Sequence, residues 1–250
     1  PQSTDQLIFG GEKIPRRYVS AGLTEDERFL VISASTSTTG NELYVQDLTD
    51  AKGKLITVVG NFDNNHSVVE NDGNTLLIQT NLNAPNDRIV SVDFAKPTPE
   101  NWKDIVPETE NAMQGVSTAN KKMFVNYLKD ASTFIRQFDY NGKLERDVEL
   151  PGLGSAGGFG GRVDEKEVYY SFTSFTTPTS IYKYDIGSGK STLYAQPKVD
   201  FDPSAYETKQ IFYTSKDGTK VPMFIVHKKE LELNGKNPTW LYAYGGFSIS

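Results

Sequence analysis

Apolar residues in this chain come in short runs separated by polar, glycine-bearing breaks, and no stretch keeps the 3.6-residue spacing of an amphipathic helix. One run returns in form. Leu43-Tyr44-Val45-Gln46-Asp47-Leu48 is echoed by Ile89-Val90-Ser91-Val92-Asp93-Phe94, by Phe134-Ile135-Arg136-Gln137-Phe138-Asp139-Tyr140 and by Ile181-Tyr182-Lys183-Tyr184-Asp185-Ile186. The aspartates stand at 47, 93, 139 and 185, each 46 residues after the last. A period of about 40–50 residues holding several short strands is the mark of propeller blades.

Each unit divides into four predicted strands. The first has Val19–Leu23, Phe29–Ala34, Leu43–Gln46 and Leu55–Val59; the second Ser67–Glu70, Thr75–Thr80, Arg88–Asp93 and Trp102–Val106. The third has Gln114–Thr118, Met123–Leu128, Thr133–Asp139 and Leu144–Leu150; the fourth Ala156–Arg162, Val168–Ser174, Ser180–Asp185 and Ser191–Ala195. Turn signals stand before every second strand: Glu25-Asp26-Glu27, Asp72-Gly73-Asn74, Ala119-Asn120-Lys121 and Asp164-Glu165-Lys166. Leu7-Ile8-Phe9-Gly10 reads as the outer strand of a preceding blade. The expectation is four complete blades and a fragment.

The pattern breaks at residues 197–205, where Pro197 and Pro203 flank a polar run that reads as a linker. Two further apolar runs, Gln210–Tyr213 and Val221–Val226, are joined by Ser215-Lys216-Asp217-Gly218, a hairpin signal. A third, Thr239–Tyr244, reads as a strand running into Gly245-Gly246, where backbone could approach another group closely.

Composition narrows the function classes. A net charge of −6 disfavours a nucleic-acid or acidic-membrane partner. With no cysteine, disulfide and thiolate chemistry are excluded. No apolar run approaches the roughly 18 residues of a membrane helix. Pro1-Gln2-Ser3-Thr4-Asp5-Gln6 has neither the basic nor the apolar part of a signal peptide, and reads like the middle of a longer chain. A soluble protein of cytoplasm or periplasm is expected.

Candidate chemistry is sparse. The repeated aspartates invite a metal or catalytic reading, but a strand-end aspartate more simply accepts local backbone N–H groups and stops the ladder. A Ser–His–Asp triad needs a base, and the chain holds only His66, in a loop entering a strand, and His227, expected at the surface beside Lys228 and Lys229. There is no Gly-x-Ser-x-Gly elbow. Gly152-Leu153-Gly154-Ser155-Ala156-Gly157 fits the dinucleotide fingerprint in letters only, since no helix pattern follows it. A glycine-rich inner strand explains it better. No histidine cluster suggests zinc, and no cofactor is expected.

Four words near the C-terminus carry a resemblance. They are Gln210-Ile211-Phe212-Tyr213, Ser215-Lys216-Asp217-Gly218-Thr219-Lys220, Pro222-Met223-Phe224-Ile225-Val226-His227-Lys228-Lys229 and Tyr244-Gly245-Gly246-Phe247. Together they resemble the start of the peptidase domain of the prolyl oligopeptidase family of serine peptidases, with weaker similarity to that family's propeller over most of residues 1–200. The resemblance implies a mainly β chain: residues 1–199 as part of a seven-bladed propeller, and residues 200–250 as the first strands of an incomplete α/β-hydrolase domain.

It further implies an endopeptidase that cuts short peptides after proline, the propeller restricting access. The partners implied are proline-containing peptides and the remainder of the same enzyme. On the same ground Tyr244 is the counterpart of the family's oxyanion-donating tyrosine, and Phe247 of a phenylalanine lining the substrate pocket. The family's triad has no counterpart in this chain. Two alternatives stand beside this reading: a propeller serving only as a binding module, since fold does not fix function, and a related oligopeptidase of different specificity, against which Phe247 argues.

Overall fold

In the computed structural model, residues 2–12, 14–200 and 202–245 are described. Four antiparallel four-stranded meanders follow one another in chain order. Sheet one holds β1 (Tyr18–Leu23), β2 (Phe29–Ser35), β3 (Glu42–Asp47) and β4 (Ile56–Val59), and sheet two holds β5 (His66–Asp72), β6 (Thr75–Thr80), β7 (Arg88–Asp93) and β8 (Lys103–Val106). Sheet three holds β9 (Ala112–Ala119), β10 (Lys122–Lys129), β11 (Ser132–Asp139) and β12 (Leu144–Asp147), and sheet four β13 (Ser155–Gly158), β14 (Glu167–Thr173), β15 (Ser180–Asp185) and β16 (Ser191–Ala195). All sixteen strands expected from the repeat are present among the described residues. The third and fourth strands of every sheet pair with a register shift, between Leu43 and Tyr44, Ile89 and Val90, Gln137 and Phe138, and Ile181 and Tyr182. The shift begins four residues before the strand-end aspartate in sheets one, two and four and two residues before it in sheet three, and such a bulge sharpens the local twist.

The core lies between sheets rather than within one. Phe29, Leu43, Val45 and Val58 of sheet one meet Leu76, Ile78, Val90 and Val92 of sheet two. Leu77, Ile89 and Val106 leave the other face of sheet two to meet Met123, Val125 and Tyr127 of sheet three. Phe124 and Ile135 leave the far face of sheet three to meet Phe159, Tyr170, Phe172 and Tyr184 of sheet four. Sheets two and three are thus buried on both faces, which is why β6 and β10 are continuously apolar at their centres instead of alternating. A polar tie crosses the third interface: the Tyr184 hydroxyl donates to Gln137 Oε1 at 2.7 Å, and Gln137 Nε2 donates to Glu145 at 2.7 Å, all at the side chain of a residue only 1% exposed.

The last strand of sheet three ends at Asp147 rather than Leu150, and three further expected strands differ more. Leu7-Ile8-Phe9-Gly10 has no strand partner; the Phe9 ring leans on Tyr44 instead, centroids 4.7 Å apart. The inner strand of sheet four ends at Gly158 rather than Arg162, because Gly158 (φ 121°) and Phe159 (φ 65°) turn the chain through left-handed backbone. Thr239–Tyr244 is not a strand: residues 231–245 carry no regular structure, and a strand without a neighbour leaves its ladder groups unpaired. The linker instead leads into a hairpin of β17 (Tyr206–Thr214) and β18 (Lys220–Lys228), which touches sheet four where the Phe224 and Phe175 rings lie 5.5 Å apart.

Candidate functional site

The repeated aspartates serve turns. Asp47 Oδ1 accepts from the Thr49 amide at 2.9 Å, Asp93 from Ala95 at 3.0 Å, Asp139 from Asn141 and Lys143 at 2.9 Å each, and Asp185 from Ser188 at 2.6 Å. Each ends the third strand of its sheet by offering an acceptor to the chain leaving it. Hydrogen bonds from Thr49, then Arg28, hold the Asp47 carboxyl below its usual range. Among the described residues no group of three His, Asp or Glu side chains is placed to hold a metal ion.

The glycine-rich run opens sheet four with a strand and no helix. A Cβ on Gly154 would stand 2.3 Å from the Thr173 carbonyl oxygen, so close strand approach, not phosphate binding, requires that glycine.

His66 opens β5 and is buried, 5% exposed. The Thr80 hydroxyl accepts from the Leu82 amide at 3.1 Å and lies 2.9 Å from His66 Nδ1. Burial pushes the His66 pKa down to about 4. In the unfolded chain it protonates near 6.5, so stability is fully present above that pH and is lost as pH falls toward 4, by about 3 kcal/mol. Urea unfolding at pH 7 and pH 4 should show this loss in the wild type and not in His66→Asn; equal losses would contradict it.

His227 corrects its expectation. Strand alternation turns it away from the exposed Lys228, and it is 9% exposed, opposite Glu207 on the partner strand. Its Nδ1 donates to the Lys228 carbonyl at 2.8 Å, and Nε2 lies 3.4 Å from Glu207 Oε1. Neither histidine faces a serine nucleophile: His66 is occupied by Thr80 and His227 by its own strand.

Tyr244 lies in the irregular segment after the hairpin, 55% exposed, its neighbours Trp240, Leu241 and Tyr242 more exposed still. Phe247 lies outside the described residues. Of these two candidates the structure describes Tyr244 alone. It does assemble a cavity of about 600 Å³ where β1 and β5 face each other, lined by Ser20, Gly22, Asn41, His66, Val68 and Glu70. Small residues on β1 leave this space. Burial, with the nearby Glu25 and Asp26 carboxylates, raises the Glu70 pKa against the hydrogen bonds from the Asn71 and Glu25 amides. In the sequence Glu25 and Asp26 read only as a turn, and Glu70, within β5, carries no local signal of its own.

The relationship to known proteins agrees with this geometry. Residues 1–197 match the model of the prolyl oligopeptidase N-terminal beta-propeller domain. The chain belongs to the prolyl oligopeptidase family. Prolyl endopeptidase of Elizabethkingia miricola is 52% identical over 249 residues, covering all of this chain and 35% of that protein. A solved structure from a structural and mechanistic analysis of two prolyl endopeptidases, centred on inter-domain dynamics, superposes with a TM-score of 0.81 at 35% identity. It covers 92% of this chain and 34% of its own. Prolyl oligopeptidase B of Galerina marginata, bound to a 35mer hydrolysis and macrocyclization substrate, superposes with a TM-score of 0.80 at 25% identity, over 92% of this chain and 34% of that one. The chain thus spans about a third of the length of its family relatives. Among the described residues no helix is long and apolar enough to cross a membrane.

Proposed function

We propose that this chain is the propeller and adjoining segment of a serine endopeptidase that hydrolyses short peptides on the carboxyl side of proline. The observation that carries the reading is the order of parts: a family-matched set of sheets over residues 1–197, then a linker, then the Tyr206–Lys228 hairpin, then Tyr-Gly-Gly-Phe. Residues 1–199 form the propeller part and residues 200–250 begin the peptidase domain, as first strands of an α/β-hydrolase sheet. The exposed apolar side chains of that region support this. Phe212, Tyr213, Trp240, Leu241 and Tyr242 stay uncovered by the four sheets, as strands awaiting a larger sheet would.

In that enzyme the Tyr244 phenol donates a hydrogen bond to the oxyanion of the tetrahedral intermediate, and Phe247 lines the pocket that receives proline. A phenol suits this task because it is a rigid donor with only two side-chain torsions and needs no change of protonation. The nucleophile and base belong to parts of the enzyme outside residues 1–250. The sheets partner the peptidase domain and limit which peptides reach it.

Two measurements test the proposal. The complete enzyme should cleave a short peptide after proline and spare the same peptide with alanine in place of that proline. Residues 1–250 alone should turn over neither. Turnover by a homogeneous preparation of residues 1–250, abolished by a serine-directed inhibitor, would overturn the assignment of the nucleophile to another part of the enzyme.

A further inference from the structure

Sheets one and two touch over only part of their width. The buried residues at their interface come from β2, β3, β4, β6 and β7, and none from β1 or β5. Those two strands diverge, and the cavity of about 600 Å³ where they face each other is large enough for a small molecule. A Cβ on Gly22 of β1 would meet nothing within 4 Å, so crowding does not demand that glycine; its effect is to leave the cavity wide.

The charges on its walls are all of one sign. Glu70 and Asp87 line the cavity, both half-buried, and no lysine or arginine lines it. Burial raises both pKa values; Glu25 and Asp26 push Glu70 further up, Glu108 pushes Asp87 the same way, and no basic group opposes them. Glu25 is itself engaged, its carboxylate accepting from the Val163 amide in the loop before β14 at 2.8 Å. Elsewhere the protein pairs its part-buried carboxylates: Glu42 with Arg17, Asp47 with Arg28 and Glu145 with Lys122. A half-buried carboxylate without a cation is costly, and this cavity holds two. His66, the other titratable residue of the lining, is only 5% exposed. Among the described residues its hydrogen-bond partner is Thr80, at Nδ1, and Nε2 has none.

The placement of these groups shapes the ligand. Asp87 precedes Arg88, which pairs with Thr80 and through it with His66 at the start of β5, whereas Glu70 lies further along that strand. The two carboxylates are thus roughly 10–13 Å apart along the strand direction. Between them Val31, Leu43 and Val68 form apolar wall. The polar side chains there are spent: Asn41 on the His66 backbone, Asn65 Oδ1 on the Gly40 amide and Gln79 on Asp87. Few free hydrogen-bonding groups remain for a peptide backbone, whereas an aliphatic chain needs none.

We infer that the cavity between β1 and β5 binds a linear aliphatic oligoamine, one terminal ammonium on Glu70 and the other on Asp87, with His66 Nε2 accepting from the amine at the Asp87 end. This site stands apart from the peptidase reading and does not depend on it. Glu70→Gln and Asp87→Asn each keep an acceptor oxygen, for the Asn71 and Glu25 amides and for Gln79 respectively, and remove the charge.

The test titrates spermidine, whose extended length suits that spacing, into the complete protein by calorimetry, with butylamine as the single-charge control. Spermidine should bind more tightly than butylamine, and each variant should weaken it about tenfold or more, the cost of one charged hydrogen bond. Without ligand, both variants should unfold in urea at midpoints no lower than wild type, because each loses an unpaired charge. The His66 ring signal, assigned by its absence in His66→Asn, should shift with spermidine. No binding of spermidine to the wild type overturns the site. Equal binding by wild type and variants places the amine elsewhere on an acidic surface and overturns it too. Variants with clearly lower midpoints would show that the two carboxylates serve the fold, against the argument from unpaired charge. Binding that leaves the His66 signal unmoved overturns that contact. A peptide with two lysines that binds as tightly as spermidine, and weakens in the same variants, would make the ligand a peptide and overturn the oligoamine.

Discussion

Phe159→Ala should lower stability by about 3–5 kcal/mol, the range for removing a buried aromatic ring. Phe159 is 1% exposed and stands between sheets three and four. Its ring stacks on Tyr170 with centroids 4.5 Å apart and planes 8° from parallel, stacks on Phe124 at 5.3 Å, and meets Tyr184 edge-on at 5.7 Å. No neighbour can fill the gap, because each of these rings is already held by others. The backbone adds a second, sharper expectation. At φ 65° a side chain costs about 1–2 kcal/mol that glycine does not. Phe159→Gly should therefore be no less stable than Phe159→Ala, the reverse of the usual order in a strand. Urea unfolding of the three proteins checks both. A loss below about 1 kcal/mol for alanine would mean that the two sheets do not depend on this ring.

Tyr244→Phe in the complete enzyme should cut kcat by roughly 10²–10³, the cost of one oxyanion donor. The substitution keeps the ring and removes only the hydroxyl, so binding through the ring is preserved. The loss therefore belongs in kcat rather than KM, provided the substrate is one for which chemistry is rate-limiting. A water admitted into the hole would reduce the effect without abolishing it. An unchanged kcat on such a substrate would refute the role. Phenylalanine is also the right probe for stability, since Tyr244 is more than half exposed and its hydroxyl makes little difference to folding.

Much of the architecture was legible because it repeats. A 46-residue recurrence located all sixteen strands, and the strand-end aspartates were recognisable as turn formers because one residue type kept one phase. What escaped had a cause outside the local pattern. Leu7–Gly10 and Thr239–Tyr244 have strand composition, but a strand needs a partner, and composition does not supply one. Gly158 announces a break, whereas nothing in the letters announces that Phe159 shares its left-handed backbone. Two lysines beside His227 suggested solvent, yet alternation placed it on the covered face. The Glu25–Val163 link joins residues 138 apart and leaves no periodic trace. Of the candidate site, Tyr244 and Phe247 were found through a motif rather than through geometry, which is why their roles rest on experiment.

The burial of each middle sheet on both faces also sets an order for folding during synthesis. Within every sheet, each strand pairs with its neighbour in sequence, so a sheet can form as soon as its own residues have left the ribosome. Its second apolar face must then wait for the next unit of about 46 residues, roughly 2–9 seconds at typical elongation rates. One hydrophobic face, first that of Leu77 and Ile89, then that of Phe124 and Ile135, is therefore always the newest and uncovered. The growing series of sheets therefore carries a sticky face at its newest end that moves along the chain, and that face is where a chaperone would have to act.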